Sequence, residues 1–206
     1  MKKNLTELVF VLDRSGSMFG LEADTVGGYN ALLESNRALD GQAIVSTVLF
    51  NDQVQVLHDR VPIEEVPRMR EDDFVTSGCT ALLDAVGGTL ERTQQVQRAL
   101  PEGHRAAHVL VAIATDGLEN ASREYTYPQV KRLIGNAREH GWEVIFMAAN
   151  IDAGAEAERL GIDRTRAVQY EATPAGTAQM YDEVCCASAA LRTEGSLDSW
   201  SAKHDA

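Results

Sequence analysis

The chain has 206 residues, 44% hydrophobic and 24% charged, which predicts one α/β unit burying roughly 70% of its unfolded surface. Its formal charge of −12 argues against a nucleic-acid backbone as partner, since that contact needs clustered Lys and Arg. No stretch approaches the roughly 20 apolar residues of a membrane helix, so no membrane insertion is expected. After Met1-Lys2-Lys3 the apolar run Leu8 to Leu12 stops at Asp13, too short for a secretory core. Three cysteines, Cys79, Cys185 and Cys186, are an odd count that does not make a disulfide framework. A cytoplasmic protein is the expectation.

The first strand is expected over Thr6 to Leu12, followed by a helix with Val26, Tyr29 and Leu33 on one face and Gly27-Gly28 weakening its propensity. Ala43 to Phe50 and Gln53 to His58 flank Asn51-Asp52, a hairpin signal that makes the second of them an antiparallel edge strand. Pro62 to Asp73 reads as a polar, partly helical connection. A helix from about Ala81 to Leu100 offers Leu83, Val86, Leu90 and Leu100 to the core. The strand Ala107 to Thr115 leads to the acidic loop Leu118 to Arg123 and a helix begun near Pro128, a favoured first-turn position. Trp142 to Ala149 is the next strand, Asp152 starts a short helix, and Arg166 to Tyr170 is the last strand. Thr173-Pro174 opens a helix with Met180, Val184, Ala187 and Leu191 on one stripe. Residues 1–194 are expected to form the domain and Gly195 to Ala206 a disordered tail, with Trp200 an exposed aromatic or a residue that docks.

Continuous apolar strands alternating with helical patterns predict a doubly wound, mostly parallel six-stranded sheet with one antiparallel edge strand and helices on both faces. Parallel strands share their carboxyl ends, so Asp13, Asp116 and Asn150-Ile151-Asp152 should emerge at one edge, where open α/β sheets bind ligands. Asp13, Ser15 and Ser17 place a carboxylate and two hydroxyls on a loop that Gly16 allows to curl, a donor set suited to a hard cation. A helix N-cap loop uses the same residue types. Two further segments shift the balance: Thr76-Ser77-Gly78-Cys79-Thr80 opens a helix, and Thr115-Asp116-Gly117 closes an apolar strand. Three oxygen-bearing loops imply one shared site. Asp84, one turn beyond Thr80, reads either as an orienting residue behind that site or as a solvated helix residue. Cys79 reads as a small loop-packing residue rather than a redox thiol.

The pattern Asp-x-Ser-x-Ser, a Thr in a distant Gly-bearing loop and a distant Asp-Gly resembles the von Willebrand factor A domain family with its metal-ion-dependent adhesion site. It matches at Asp13, Ser15, Ser17, Thr80 and Asp116, and the element order fits from about Leu5 to Leu191. The resemblance implies a Rossmann-like fold and a divalent cation, Mg²⁺ in preference to Mn²⁺ or Ca²⁺ in so compact a hydroxyl-rich cage. It implies direct ligation by the Ser15, Ser17 and Thr80 hydroxyls, with Asp13 and Asp116 acting directly or through water. It also implies a protein partner that offers an Asp or Glu carboxylate to the ion. Some intracellular relatives serve AAA+ ATPases as adaptors, so a structural subunit of such a complex is a further possibility.

The enzyme alternative is a Mg²⁺-dependent hydrolase or phosphatase using Asp13. Haloacid dehalogenase-like phosphatases carry Asp-x-Asp, whose second carboxylate moves the proton, and here that position is Ser15. Neither Gly-x-Ser-x-Gly nor a P-loop occurs. His58, His104, His108, His140 and His204 show no zinc spacing, Pro101 and Gly103 breaking any helix that would align His104 with His108. No catalytic residues are expected.

Overall fold

The computed structural model describes residues 5–203. Met1-Lys2-Lys3 and His204 lie outside them. Six strands form one sheet in the order β3-β2-β1-β4-β5-β6: β1 Leu5–Asp13, β2 Gln42–Phe50, β3 Val54–Pro62, β4 His108–Thr115, β5 Glu143–Ala148 and β6 Ala167–Gln169. All neighbours are parallel except β2 and β3. Every residue of β1 is buried. Its side chains alternate between two cores, as the two-residue period of a strand requires. Leu8, Phe10 and Leu12 enter one with β4 Leu110 and Ala112, whereas Val9 and Val11 enter the other with Val109, Val111 and Ile113.

Helices α1 (Glu22–Arg37) and α5 (Pro174–Glu194) cover the first face. Helices α2 (Leu82–Ala99), α3 (Tyr127–Glu139) and α4 (Ala153–Leu160) cover the second. Among the described residues no helix is long and apolar enough to cross a membrane. From β1 the chain winds outward through β2 and β3, and α2 then carries it back to β4 on the other side of β1. The strand order therefore reverses between β1 and β4, and the crevice at their carboxyl ends is where such sheets hold ligands.

The expected helix faces are buried at Val26, Tyr29 and Leu33, at Leu83, Val86 and Leu90, and at Met180, Val184, Ala187 and Leu191. Leu100 is only half-buried, because the chain turns extended there after α2 ends at Ala99. Gly28 has a packing purpose: a Cβ there would run into the Tyr181 ring, so the glycine lets α1 and α5 approach. Strand β3 continues four residues past His58, its pairing with β2 interrupted by register shifts around Thr47 and its Arg60 in the left-handed region at φ 53°. The connection after it is less polar than expected, since Ile63, Val66, Met69 and Phe74 are buried.

The tail is the main correction. A short helix α6, Asp198–Ser201, follows the left-handed Gly195, and it buries Leu197 and Trp200 in the first core. The Trp200 indole N–H donates to Glu183 at 3.1 Å. Two bulky apolar groups within four residues give the segment an anchor that its polar composition hides, and the described part, to Lys203, belongs to the domain.

Candidate metal centre

Asp13 ends β1 and is 2% exposed. Its Oδ1 accepts the Ser15 backbone N–H at 2.7 Å, closing the Asp-x-Ser turn, and its Oδ2 accepts the Thr115 hydroxyl at 2.6 Å. One oxygen is thus held from the loop after β1 and the other from the end of β4. The Ser17 hydroxyl donates to Asp116 Oδ1 at 2.5 Å, and the Ser15 and Ser17 hydroxyls lie 3.1 Å apart. Thr80 is buried, and the loop before it is zipped to the first loop by Gly16 N–H to Gly78 O at 3.1 Å and Ser77 N–H to Arg14 O at 3.0 Å. A Cβ placed on Gly117 would sit 3.7 Å from both the Ser17 and the Thr80 hydroxyl oxygens, so these two groups face a common space beside the Asp116 backbone.

Hydrogen bonds therefore link Asp13, Ser15, Ser17 and Asp116 in one chain at the β1–β4 switch, and the Thr80 hydroxyl faces the space that the Ser17 hydroxyl faces. Asp152 does not join them: it caps α4, accepting the Ala155 N–H at 2.8 Å. Asn150, in the left-handed region at φ 58°, donates to the Asp116 carbonyl at 3.2 Å. Asp84 corrects both expectations for it. Its carboxylate accepts the backbone N–H groups of Arg123, Glu124 and Tyr125 at 2.8–2.9 Å, pinning the loop after β4 to α2. Cys79 is exposed and does not pack in the loop.

Two residues that the sequence reading passed over position Thr80. Asn120 accepts the Thr80 N–H on its side chain at 2.9 Å and donates its own N–H to the Thr80 carbonyl at 3.0 Å. Asn51 donates its side-chain amide to the Ser77 carbonyl at 3.0 Å, while its backbone carbonyl accepts the Ala81 N–H at 2.8 Å. In sequence, Asn51 signals only a turn, and Asn120 only a polar loop.

The donor chemistry fits a small hard cation. Burial, the largest cause, raises the Asp13 pKa above the ordinary carboxylate value against the Thr115 and Ser15 hydrogen bonds, and the Asp116 charge pushes the same way. Burial likewise raises Asp116 against its bond from Ser17. Asp116 Oδ2 is buried and has no hydrogen-bond partner among the described residues, an arrangement that costs free energy in the protein alone. A cation facing that oxygen and the adjoining hydroxyls would remove the cost. Among the described residues no three His, Cys, Asp or Glu side chains gather as metal ligands, so the oxygen set here is hydroxyl-rich rather than of the soft nitrogen and sulfur type.

No protein-family model and no curated protein matches the sequence. Solved structures do resemble the fold. The vWF domain of the type V pili tip protein Mfa5 from Porphyromonas gingivalis superposes with a TM-score of 0.60 at 12% identity, over 88% of this chain and 94% of that one. A von Willebrand factor type A protein from Catenulispora acidiphila gives 0.60 at 15% identity, over 89% of this chain and 42% of its own. Proximal thread matrix protein 1 from the mussel byssus, solved with a zinc-occupied MIDAS motif, gives 0.55 at 16% identity, over 87% and 44%. This chain thus spans less than half of two of these structures and nearly all of the third. It has the von Willebrand factor A fold.

Proposed function

We propose that this von Willebrand factor A fold is a metal-dependent protein-interaction module rather than an enzyme, and that Ser15, Ser17, Thr80 and Asp116 hold a divalent cation, Mg²⁺ by preference. Asp13 supports them by fixing Ser15 and Thr115 and by adding negative charge. The single observation that carries this reading is Asp116 Oδ2, a buried carboxylate oxygen without a partner among the described residues, on the residue that Ser17 bonds. Three of the four holding groups are neutral hydroxyls, so a bound dication would keep enough positive charge to attract a carboxylate from a partner protein. That attraction is strong only where the contact excludes water, because a unit pair at 4 Å is worth about 1 kcal/mol in bulk water.

Hydrolysis is disfavoured by the same geometry. Ser15 stands where a phosphatase needs its second carboxylate, and Asp13 has both oxygens engaged in holding Ser15 and Thr115. Titration calorimetry with Mg²⁺, Mn²⁺ and Zn²⁺ tests the proposal, paired with melting in each metal. At one hundred times its Kd a bound ion adds about 2.7 kcal/mol, which at this size raises Tm by roughly 5–10 °C. Thr80→Ala should weaken binding. Absence of heat and of any Tm shift with all three ions would refute the metal site. Metal-stimulated turnover of phosphate esters, lost in Asp13→Ala, would instead establish the enzyme.

A further inference from the structure

Phe19, Val54, Val56, Val75 and Leu118 are the exposed large apolar residues of the described chain. Three of these five stand on the loops that carry the candidate ligands. Phe19 follows Ser17 by two positions and is 81% exposed, Leu118 follows Asp116 by two and is 53% exposed, and Val75 opens the Thr80 loop at 58%. The loops are fixed against one another. Glu22 accepts the Gly20 N–H at 2.7 Å and the Thr76 hydroxyl at 2.6 Å with its two oxygens, so the residues next to Phe19 and Val75 share one carboxylate. Gly117, next to Leu118, lies over the Ser17 and Thr80 hydroxyls. A single exposed apolar side chain is ordinary on a protein surface, but three on loops tied together around a buried polar centre mark a contact surface.

The charge of the surroundings narrows the occupant. Glu22, at the start of α1, and Asp52, on the turn between β2 and β3 and against Gly78, both adjoin these loops, and the chain as a whole carries −12. A ligand rich in acid would meet like charge within roughly the 8 Å screening length. We propose that the rim formed by Phe19, Val75 and Leu118 selects a protein segment presenting one Asp or Glu flanked by bulky apolar side chains, with no further acid nearby. The carboxylate goes to the metal centre. The flanking groups bury the rim and exclude water, which is what makes the central attraction strong. This inference rests on the metal-dependent reading above.

The test is selection of random twelve-residue peptides displayed on phage, bound in Mg²⁺ and released with EDTA. Released peptides should share a single Asp or Glu with an apolar residue within two positions of it. Their affinity should fall about tenfold or more for the triple variant Phe19→Ser, Val75→Ser, Leu118→Ser, while that variant takes up Mg²⁺ as the wild type does. Because all three side chains are mostly exposed, an unchanged metal titration also shows that the variant is folded. Released peptides with an acid but no apolar neighbour, equal binding by the triple variant, or no EDTA-released peptides from a metal-loaded protein would overturn the rim and leave the metal site standing. Chelator-sensitive self-association of the chain, abolished by the triple variant, would overturn it in favour of a second copy as occupant. A wild type that takes up no metal would overturn both.

Discussion

Asp116 concentrates the physics of the site in one carboxyl group. Burial raises its pKa, so in the metal-free protein its charge weakens the fold: the cost is absent below the ordinary carboxylate value near 3.8 and grows as pH rises through the elevated folded pKa. Asp116→Asn should therefore raise the Tm of the chelated protein at pH 7 by a few degrees, since about 1 kcal/mol moves Tm roughly 2–4 °C at this size. That gain should vanish near pH 3, and the variant should lose its response to Mg²⁺. Melting of both proteins in EDTA across this pH range checks the sign, and a variant less stable than wild type throughout would contradict it. At this scale the turn that joins Asp13, Ser15 and Ser17 was legible in the sequence because its hydrogen bonds close within five residues. Asn51 and Asn120 were not. Their side chains bond backbone groups 26 and 40 positions away, and nothing in their local sequence marks that service.

Loops held by latches connect the elements to the site. The paired bonds between Asn120 and Thr80 join the loop after β4 to the start of α2, and Asp84 holds the same loop from the first turn of that helix. Asn120→Ala should weaken Mg²⁺ binding about 10- to 100-fold, the usual cost of losing a group that orients a ligand. Asn120 is exposed, so melting in EDTA should hardly change, and Asn120→Asp, which keeps the acceptor, should restore affinity. Equal Mg²⁺ affinity in all three proteins would show that the latch does not position Thr80. Helix α6 makes a separate prediction. Trp200 is 1% exposed, and Trp200→Ala should cost about 3–5 kcal/mol, a fall in Tm on the order of 10 °C, without altering metal affinity at temperatures where the variant is folded. The six strands and five main helices were readable because their apolar periods match their burial. Helix α6 was not, since four residues are too few to show a period, and one tryptophan in a polar stretch reads equally as exposed.

For the whole molecule, the decisive property is topology. Strands β1 and β4 lie side by side and parallel from Thr6–His108 to Leu12–Ala114, so Asp13 and Asp116 leave the sheet together although 103 positions separate them. The oxygen cradle follows from the winding order, and the apolar rim follows from the same loops. The charge of −12 sets the tone of the remaining surface, so a cation bound at this edge would stand out as the place for an acidic side chain of a partner. The most direct measurement is an anomalous difference map from a crystal of this protein soaked in Mn²⁺, which takes the same octahedral oxygen sites as Mg²⁺. The expected result is one strong peak within coordination distance of Ser15, Ser17, Thr80 or Asp116 oxygens, including Asp116 Oδ2. A well-ordered crystal with no peak there, or with the ion bound only against carboxylates elsewhere on the surface, would contradict the account.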